Sequence, residues 1–389
     1  MSMPFYHVPL SIALSLLHLY LWKRLVKDTM PAGRARRVVT GGLVVLDLFM
    51  VATLLFGTQL PQDVARWFAW PGWIWFGVVF YLLITLLLLE FPRLALRGWV
   101  RRESTVDEPA LSRRVLLARG TAAVAGVSAV GLVGYGMPVA LGAPDVRRVR
   151  IPLRRLDPRA AGCRIALISD VHLGALAGRS TTQRIVDLVN AERPDLVAIA
   201  GDLVEGDPDV LADSAAPLRE LRSTHGTFFV TGNHEYYYRY DDVVDYVRTL
   251  GVRTLLNERV TISHRGGEFE LAGVIDPNAE MADAPEGPDV AKTLRGWDRE
   301  RPVVLLAHQP AVLDDAVAHG VDLQLSGHTH GGQIAPFNLL VKLLEGTTAG
   351  LSRHGDTTLY VTRGAGFYGP PVRVGAPPDI TIVELAATR

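Results

Sequence analysis

The sequence predicts an all-α, membrane-spanning region of about four helices, followed by an α/β domain. Four apolar stretches come first, and each has about the ~20 residues that a helix needs to cross a bilayer. From Val149 onward, short β-branched segments alternate with amphipathic helical segments, which is typical of an α/β domain. The chain is 49% hydrophobic. That fraction is high for a soluble protein and indicates an apolar portion averaged with an ordinary one.

The four apolar stretches differ in strength. The first three carry almost no charge, and tryptophans cluster before and within the third, where an aromatic belt would lie. Asp47 is an acid inside the second stretch, and we expect it to have a structural role and to face a helix partner or a polar cavity. The fourth stretch is only moderately apolar, so a buried helix of a soluble domain is the alternative. The stretches are residues 5–22, 38–56, 73–89 and 120–142.

Basic residues lie on alternate sides of these stretches. The first and third connecting segments are rich in Lys and Arg, whereas the second holds only Arg66. By the positive-inside rule the basic segments are cytoplasmic, and the N-terminus and the α/β domain lie outside. We therefore expect a multi-pass protein of the cytoplasmic membrane, with the fourth helix deciding the side of the α/β domain. The basic residues are Lys23, Arg24, Lys27, Arg34, Arg36 and Arg37, and then Arg93, Arg97, Arg101, Arg102, Arg113, Arg114 and Arg119.

A pair of arginines precedes the fourth stretch. The segment Ser112-Arg113-Arg114-Val115-Leu116-Leu117 is similar to a twin-arginine export signal. The alternative is a basic stop at the cytoplasmic end of a helix, and both interpretations place the following domain outside. Pro144 directly follows the small residues that a signal peptidase would need, so we expect a retained anchor. The predicted domains are residues 1–110 with three spans, 111–148 with the fourth span and a linker, and 149–389 as the α/β domain.

Charge and cysteine content exclude several classes of protein. The formal net charge is zero, so no overall basic field indicates nucleic acid as a partner. The single cysteine, Cys163, excludes an internal disulfide framework and a Cys-based zinc site. Cys163 begins a segment that has the pattern of a buried strand. A small core residue is therefore the expected role, and a cysteine nucleophile is not expected.

The α/β domain places ligand-type side chains directly after predicted strands. Predicted strands are residues 164–169, 196–200, 227–231, 268–275, 303–307, 321–326, 358–363 and 380–385, and predicted helices are 181–191, 210–221, 241–250 and 311–319. Five of these strands end at His, Asp or Asn residues, and the carboxyl ends of strands are where α/β sheets bind ligands. The residues are Asp170, His172, Asp202, Asn233, His234, His308, His328 and His330.

Oxygen and imidazole ligands without thiolate suit Mn, Fe or Zn rather than a structural zinc site. The set is large enough for two adjacent divalent ions that share one carboxylate. Such a pair, ~3.5 to 4 Å apart, activates a water and stabilises the oxygens of an in-line displacement at phosphorus. The chemistry that these residue types indicate is hydrolysis of phosphate esters.

The ordered motifs resemble the calcineurin-like metallophosphoesterase family. They are Asp170-Val171-His172, Gly201-Asp202, Gly232-Asn233-His234-Glu235, His308 and Gly327-His328-Thr329-His330. The resemblance covers about residues 160–389. Gly331-Gly332-Gln333 and the closing segment 362–380 are similar to a branch of membrane-associated bacterial phosphodiesterases, some of which carry a twin-arginine signal.

The resemblance implies a four-layer αββα sandwich and a role for each motif residue. It gives Asp170, His172, Asp202 and His330 to one metal ion. It gives Asp202, Asn233, His308 and His328 to the other, with Asp202 bridging. It leaves His234 as a catalytic residue that assists at the phosphate or protonates the leaving oxygen.

Other residues are given weaker assignments. Asp276 and Asn278 follow a strand, but turn chemistry explains Asp-Pro-Asn equally well, and they are left out of the site. Arg363 and Tyr236 are candidates for substrate contact, with cap and surface roles as the alternatives. The apolar stretch 337–344 follows the last motif. A core helix is the common explanation for such a stretch, and a rim that dips into a bilayer interface is the other.

The leading functional hypothesis is a phosphodiesterase or pyrophosphatase at the outer face of the cytoplasmic membrane, acting on a lipid-linked or cell-envelope phosphate. Its partners would be that phosphate ester and the lipid bilayer, without nucleic acid. A broad nucleotide phosphodiesterase is one alternative. A non-enzymatic metal-binding scaffold is another, and it predicts missing ligands, of which the motifs show none. The sequence leaves the oligomeric state, the metals and the natural substrate open.

Overall fold

The computed structural model describes residues 7–96, 113–282, 284 and 286–388. Ser112 and the predicted loop arginines Arg97, Arg101 and Arg102 lie outside these residues. One compact unit consists of Met1–Pro138 with Gly369–Val372, and the other of Val139–Tyr368 with Arg373–Arg389. The predicted boundary after residue 148 stays a prediction.

The first unit is helical. Its helices are α1 (His7–Leu21), α2 (Arg34–Phe56), α3 (Gln62–Ala95) and α4 (Arg113–Leu141). By length and composition, α2, α3 and α4 are each able to cross a membrane. Helix α1 has 15 residues within the described part of the chain and continues as a short π-helical segment, Trp22–Lys27. Three candidate spans are therefore present among the described residues, and the predicted number of four is not confirmed.

Helix α3 begins earlier than the sequence predicts. It starts at Gln62 and has 34 residues, so all the clustered tryptophans lie inside it rather than before it. Pro71 interrupts the apolar pattern without ending the helix. Asp47 of α2 does face another helix, as expected. Its Oδ1 lies 3.2 Å from Nδ1 of His18 and accepts a hydrogen bond from Ser15 Oγ at 3.2 Å.

The second unit contains two six-stranded mixed sheets. The first has the order β1-β12-β2-β3-β4-β5 and the second the order β10-β11-β9-β8-β7-β6. The strands are β1 (Asp145–Leu153), β2 (Arg164–Ile168), β3 (Leu196–Ala200), β4 (Thr227–Val230), β5 (Arg253–Thr254), β6 (Glu258–His264), β7 (Gly267–Gly273), β8 (Val303–Leu306), β9 (Leu323–Ser326), β10 (Gly350–His354), β11 (Thr357–Val361) and β12 (Asp379–Ala387).

Helices cover the outer face of each sheet. They are α5 (Arg179–Ala191), α6 (Pro208–Ala215) and α7 (Tyr240–Thr249) on the first sheet, and α8 (Val290–Thr293) and α9 (Leu313–Ala318) on the second. A further helix, α10 (Phe337–Glu345), follows β9 and belongs to neither core.

The side chains of each central strand alternate between two hydrophobic cores, one on each face of the sheet. In β2, Ile165 and Leu167 belong to the core between the sheets, whereas Ala166 and Ile168 pack in the core that contains α5 to α7. Successive side chains of a strand point to opposite faces, so a strand buried on both faces must be apolar throughout. The resulting layers are helix, sheet, sheet and helix, and the parallel strands β2 to β4 and β7 to β9 end at the site.

The sequence did not predict four of the strands, and these four are the edge strands β1, β5, β6 and β10. Strand β1 begins inside the predicted linker and pairs in parallel with β12. Its sequence carries Arg147, Arg148 and Arg150, and all three are exposed. An edge strand needs fewer buried positions and often carries charge, so its sequence resembles a loop.

Candidate metal centre

The ligand-type residues after β2, β3, β4, β8 and β9 meet at one edge of the sandwich. All of the predicted metal ligands except His328, which is partly exposed, are buried. Backbone hydrogen bonds join the loops: Asp170 N donates to Gly201 O at 3.1 Å, and His172 N donates to Asp202 O at 3.1 Å. The strand ends therefore hold these side chains in fixed positions relative to one another.

The first predicted ligand group is compact. The Nε2 atoms of His172 and His330 lie 2.9 Å apart, and His330 Nε2 lies 3.4 Å from Asp170 Oδ1. Potential ligand atoms of these three residues all lie within 4.8 Å of one another. Ring nitrogens that face each other across so short a distance fit two ligands of one ion, because each neutral imidazole offers a lone pair there.

The second predicted group has the same character. His308 Nε2 lies 3.2 Å from Asn233 Oδ1, and His328 Nδ1 lies 2.9 Å from the same oxygen. Asp202 Oδ2 is 3.2 Å from His308 Nε2 and 3.7 Å from His172 Nε2. One carboxylate oxygen thus lies within reach of both groups, which is the geometry that a carboxylate bridging two ions requires.

The backbone of this site is strained. Asp170, His172, Asp202, His328 and His330 have φ between 51° and 72°. Non-glycine residues adopt this left-handed region at a cost of roughly 1–2 kcal/mol each. Such outliers persist where the surrounding structure imposes them, and they concentrate at functional sites. The strained residues are five of the seven predicted ligands.

Two glycines allow the loops to approach. A Cβ on Gly232 would lie 2.3 Å from Asp202 Oδ1, and a Cβ on Gly327 would lie 2.0 Å from Ser169 Oγ. Real Cβ atoms do not approach other atoms so closely. A side chain at either position would therefore displace a ligand-bearing loop.

His234 lies at the rim of the first group. Its Nε2 is 3.8 Å from Asp202 Oδ2, and its Nδ1 is 2.6 Å from Glu205 Oε1, without hydrogen-bond alignment. Burial opposes its protonation, but the carboxylates of Glu205 and Asp202 outweigh burial and raise the pKa of His234 to about 9. The rings of Tyr237 and Tyr368 lie 4.8 and 4.7 Å from the imidazole.

Glu205 is a site residue that sequence reasoning missed. Its carboxylate pairs with Nδ1 of His172 as well as with His234, and it accepts a hydrogen bond from Tyr238 Oη at 3.1 Å. Burial opposes ionisation, yet the charges of the two histidines lower the pKa of Glu205 to about 2. The available signal was an acid three residues after Asp202, on the same strand-end loop.

Glu235, although part of a quoted motif, was given no role. Its carboxyl oxygens accept hydrogen bonds from the backbone N–H of Gly232 at 2.6 Å, of Leu203 at 2.8 Å and of Asp202 at 3.0 Å. The side chain is completely buried. It therefore fixes the loop after β3 to the loop after β4, and with them Asp202 and Asn233.

Arg373 braces the other side of the site and was also missed. It is completely buried and donates to the carbonyl oxygens of Gly366 at 2.5 Å, His330 at 2.8 Å and Ala376 at 3.1 Å. Its Nη2 lies 3.1 Å from His330 Nδ1. Burial lowers the pKa of Arg373 to about 10. The guanidinium thus orients a predicted ligand through both its backbone and its ring.

The two central carboxylates are held in different electrostatic states. Burial raises the pKa of Asp170, and the Asp202 charge adds to this. For Asp202 burial also opposes ionisation, but His308 and His234 outweigh it and hold the pKa well below its usual value. Burial, followed by the charge of His308, lowers the pKa of His328 to about 3, which favours the neutral imidazole that a metal ion requires.

The residues with weaker assignments have different surroundings in the structure. Asn278 N donates to Asp276 Oδ1 at 2.8 Å, which is the expected turn. Tyr236 is buried, and its hydroxyl bonds Thr231 at 3.0 Å, so it is a core residue. Arg363 is partly exposed and packs beside Gly331, next to His330.

Cys163 is buried, as expected, and burial raises its pKa to about 12. Its thiol, the Asp195 carboxylate and a ring nitrogen of His264 lie within 4.8 Å of one another. The sequence did not predict this mixed group, because one cysteine alone indicates no metal site. The neighbouring positive charge of Arg265 opposes a cation there.

Comparison with known proteins agrees with the geometry. The family model for the calcineurin-like phosphoesterase matches residues 163–332. A transmembrane protein with metallophosphoesterase domain from Danio rerio is 34% identical over 94% of this chain and 86% of its own length. An uncharacterized metallophosphoesterase of Campylobacter jejuni is 32% identical over 95% of each chain. Another, from Helicobacter pylori, is 40% identical over 66% of this chain and 68% of its own.

The Danio rerio and Campylobacter jejuni relatives match nearly the whole chain, so their similarity extends over the helical unit as well as the α/β unit. The family uses divalent metal ions, and the grouped His and Asp residues are able to hold them. The chain belongs to the calcineurin-like metallophosphoesterase family and is a hydrolase of phosphoric esters.

Proposed function

We propose that this protein is a membrane-anchored phosphodiesterase or pyrophosphatase with a dinuclear metal centre. The observation that carries the proposal is the position of Asp202 Oδ2, within 3.7 Å of His172 Nε2 and 3.2 Å of His308 Nε2. Asp170, His172, Asp202 and His330 would hold one ion, and Asp202, Asn233, His308 and His328 the other. Two divalent ions (Mn, Fe or Zn) there would supply an activated water and stabilise the charge of the phosphoryl oxygens.

His234 supplies the proton for the leaving oxygen. The Glu205 carboxylate lies 2.6 Å from its Nδ1, and its Nε2 lies 3.8 Å from Asp202 Oδ2, next to the proposed metal bridge. A positioned acid is worth most for a leaving group that departs poorly as an anion. Tyr237 and Tyr368 pack against the imidazole and limit its rotation. Glu205 is thus a positioning residue for His234.

The α/β unit acts outside the cytoplasm. Arg34, Arg36 and Arg37 begin α2, and Arg113 and Arg114 begin α4. If these basic ends are cytoplasmic, α4 carries the chain outward whether or not α1 also crosses. This topology holds for three spans and for four. It also agrees with the hypothesis that residues 112–117 form a twin-arginine export signal, which remains part of the proposal.

A lipid-linked or cell-envelope phosphate ester is the substrate class that this location favours. A cytoplasmic nucleotide would not reach a centre on the outer face of the membrane. A broad nucleotide phosphodiesterase is the second candidate, and the absence of a basic field over the whole chain gives it no specific support. A non-enzymatic scaffold would be expected to lack ligands, whereas all seven predicted ligands are brought together.

The test uses the full chain in nanodiscs, with Mn²⁺, on bis(p-nitrophenyl) phosphate and a panel of lipid phosphodiesters. We expect metal-dependent hydrolysis by the wild type and its loss, together with reduced bound metal, in Asp202→Asn. Glu258→Ala, at an exposed carboxylate on β6, is the matched control. The absence of metal-dependent hydrolysis of any ester by the wild type would overturn the proposal.

The role of His234 has its own test. His234→Ala should retain its metal, because the residue is not a predicted ligand. It should lose about 10²- to 10⁴-fold in kcat on an alkyl phosphodiester and much less on bis(p-nitrophenyl) phosphate, whose leaving group needs no proton. Equal losses on both substrates would contradict the general-acid role.

A further inference from the structure

Helix α10 has its leucines on the outside. Leu339, Leu340, Leu343 and Leu344 are 67%, 45%, 79% and 71% exposed, and no residue of the helix is buried. Four adjacent leucines on one helix surface form a contiguous apolar patch, which a soluble surface rarely carries without a partner. The core-helix explanation for the apolar stretch 337–344 is therefore wrong. Its alternative, a rim in contact with a bilayer, remains.

The residues of α10 that turn towards the α/β unit are the less exposed ones. They are Asn338, Val341 and Glu345, at spacings of three and four, which place them along one stripe of the helix. Two of these three are polar. The helix is thus arranged oppositely to an ordinary surface helix, which buries its leucines and exposes its polar side chains.

This helix is attached directly to the metal centre. A Cβ on Gly332 would lie 2.3 Å from Asn338 Cα, so the backbone after His330 and the first turn of α10 are in close contact. At the other end, Glu345 Oε1 lies 4.0 Å from His328 Nε2. Just beyond the C-terminal end of α10, Thr348 O accepts a hydrogen bond from Thr329 Oγ1 at 2.6 Å. The polar stripe of α10 therefore faces the site, and its leucine face points away from it.

A lipid bilayer is the partner that fits this face. Three helices in the described part of the same chain are able to span a membrane, so the chain that carries α10 is expected to be tethered to a bilayer. With nine residues, α10 is only ~13 Å long and too short to span, which suits a helix lying in the plane of the interface. Lys342 is the only basic residue of the helix and is exposed, where its amine would reach lipid headgroups.

We propose that α10 inserts its leucine face into the acyl–headgroup boundary of the bilayer and so holds the metal centre at the membrane surface. Substrate phosphates on lipids then enter the site beside α10 without leaving the interface. The bilayer contact stands on the exposure pattern alone, whereas lipid entry rests on the proposed hydrolase function. The two parts need separate readouts.

The contact is tested without any activity measurement. Leu343→Cys in the full chain is labelled with a nitroxide and reconstituted in phospholipid nanodiscs. Met281→Cys, at a position with 77% exposure, is the control. Cys163 is buried with a raised pKa and should stay unlabelled, as the unsubstituted protein will show. Paramagnetic relaxation by oxygen, which concentrates in lipid, is compared with that by a water-soluble nickel chelate.

We expect the oxygen-to-nickel ratio at position 343 to exceed that at position 281 several-fold. Equal ratios, with full access to nickel at both positions, would show that α10 lies in water and would overturn the proposal. A label at 343 that is immobilised and shielded from both reagents would show a protein partner, either another copy or another part of this chain. That outcome would overturn it too.

Lipid entry has a second readout. Leu340→Ser with Leu344→Ser should lower turnover of a lipid phosphodiester in nanodiscs about tenfold, because partitioning of the helix face weakens. Turnover of soluble bis(p-nitrophenyl) phosphate should stay at the wild-type rate. Equal losses on both substrates would refute lipid entry. If the wild type hydrolyses neither, the hydrolase proposal fails, and the relaxation ratio still decides the bilayer contact.

Discussion

Replacing Glu235 by Ala should lower the free energy of unfolding of the α/β unit. The substitution leaves three buried N–H groups, those of Asp202, Leu203 and Gly232, without their acceptor. An unpaired buried donor costs about 1–3 kcal/mol, so the lower bound is about 3 kcal/mol. For a domain of this size each kcal/mol shifts Tm by about 2–4 °C, which gives a fall of about 6–12 °C.

The assay is thermal unfolding of the full chain in nanodiscs at a fixed scan rate, alongside the bound metal per chain. Metal content should also fall, because Glu235 fixes the two loops that carry Asp202 and Asn233. Glu235→Gln keeps one acceptor oxygen and should lie between the wild type and Glu235→Ala. The exposed control Glu258→Ala should change Tm by no more than about 2 °C. A Glu235→Ala protein with the wild-type Tm and metal content would refute the bracing role.

Two further predictions concern the site, and a third concerns the side of the membrane on which the α/β unit lies. Arg373→Met removes the donor to three buried carbonyls and should cost about 2–4 kcal/mol, read as a lower Tm; an unchanged Tm would contradict this. Glu205→Gln should lower kcat about 10- to 100-fold with a smaller change in KM, and an effect on KM alone would argue against its positioning of His234. Glu300 is exposed, so a Glu300→Cys protein should react with a membrane-impermeant maleimide in intact cells, while the buried Cys163 should stay unlabelled. Labelling of position 300 only after lysis would show that the α/β unit lies in the cytoplasm.

The central strands could be predicted from the sequence because burial on both faces makes them continuously apolar. Leu196–Ala200 is predicted without error, and its five residues are all buried. The edge strands β1, β5, β6 and β10 could not, because at most two residues of each are buried and each carries an exposed Arg or Glu. The predicted ligands could be selected by position, because each of them follows one of these central strands; their roles stay predictions.

The supporting residues of the site could not be found in the same way. Asp202 precedes a turn and follows a buried strand, which is a local pattern. Glu205 and Arg373 act on residues that are distant in the sequence: Glu205 pairs with His172, 33 residues away, and Arg373 contacts His330, 43 residues away. The sequence places Glu205 on the same loop as Asp202, but no periodicity or spacing encodes its contact with His172 or the contact of Arg373 with His330.

The supporting residues explain how the strained ligands are kept in place. Asp202 and His330 have left-handed backbones, and each is fixed by a buried charged-type side chain from another segment, Glu235 through the Asp202 N–H and Arg373 through the His330 carbonyl. Left-handed φ at non-glycine residues is unfavourable in an isolated loop, so these contacts must offset it within the fold. The protein itself therefore contributes to the ligand geometry through these two buried side chains. Asp202 is a predicted ligand of both ions, whereas His330 is a predicted ligand of one. Loss of Glu235 should therefore disturb both groups of ligands, and loss of Arg373 should release His330 while leaving Asn233, His308 and His328 assembled.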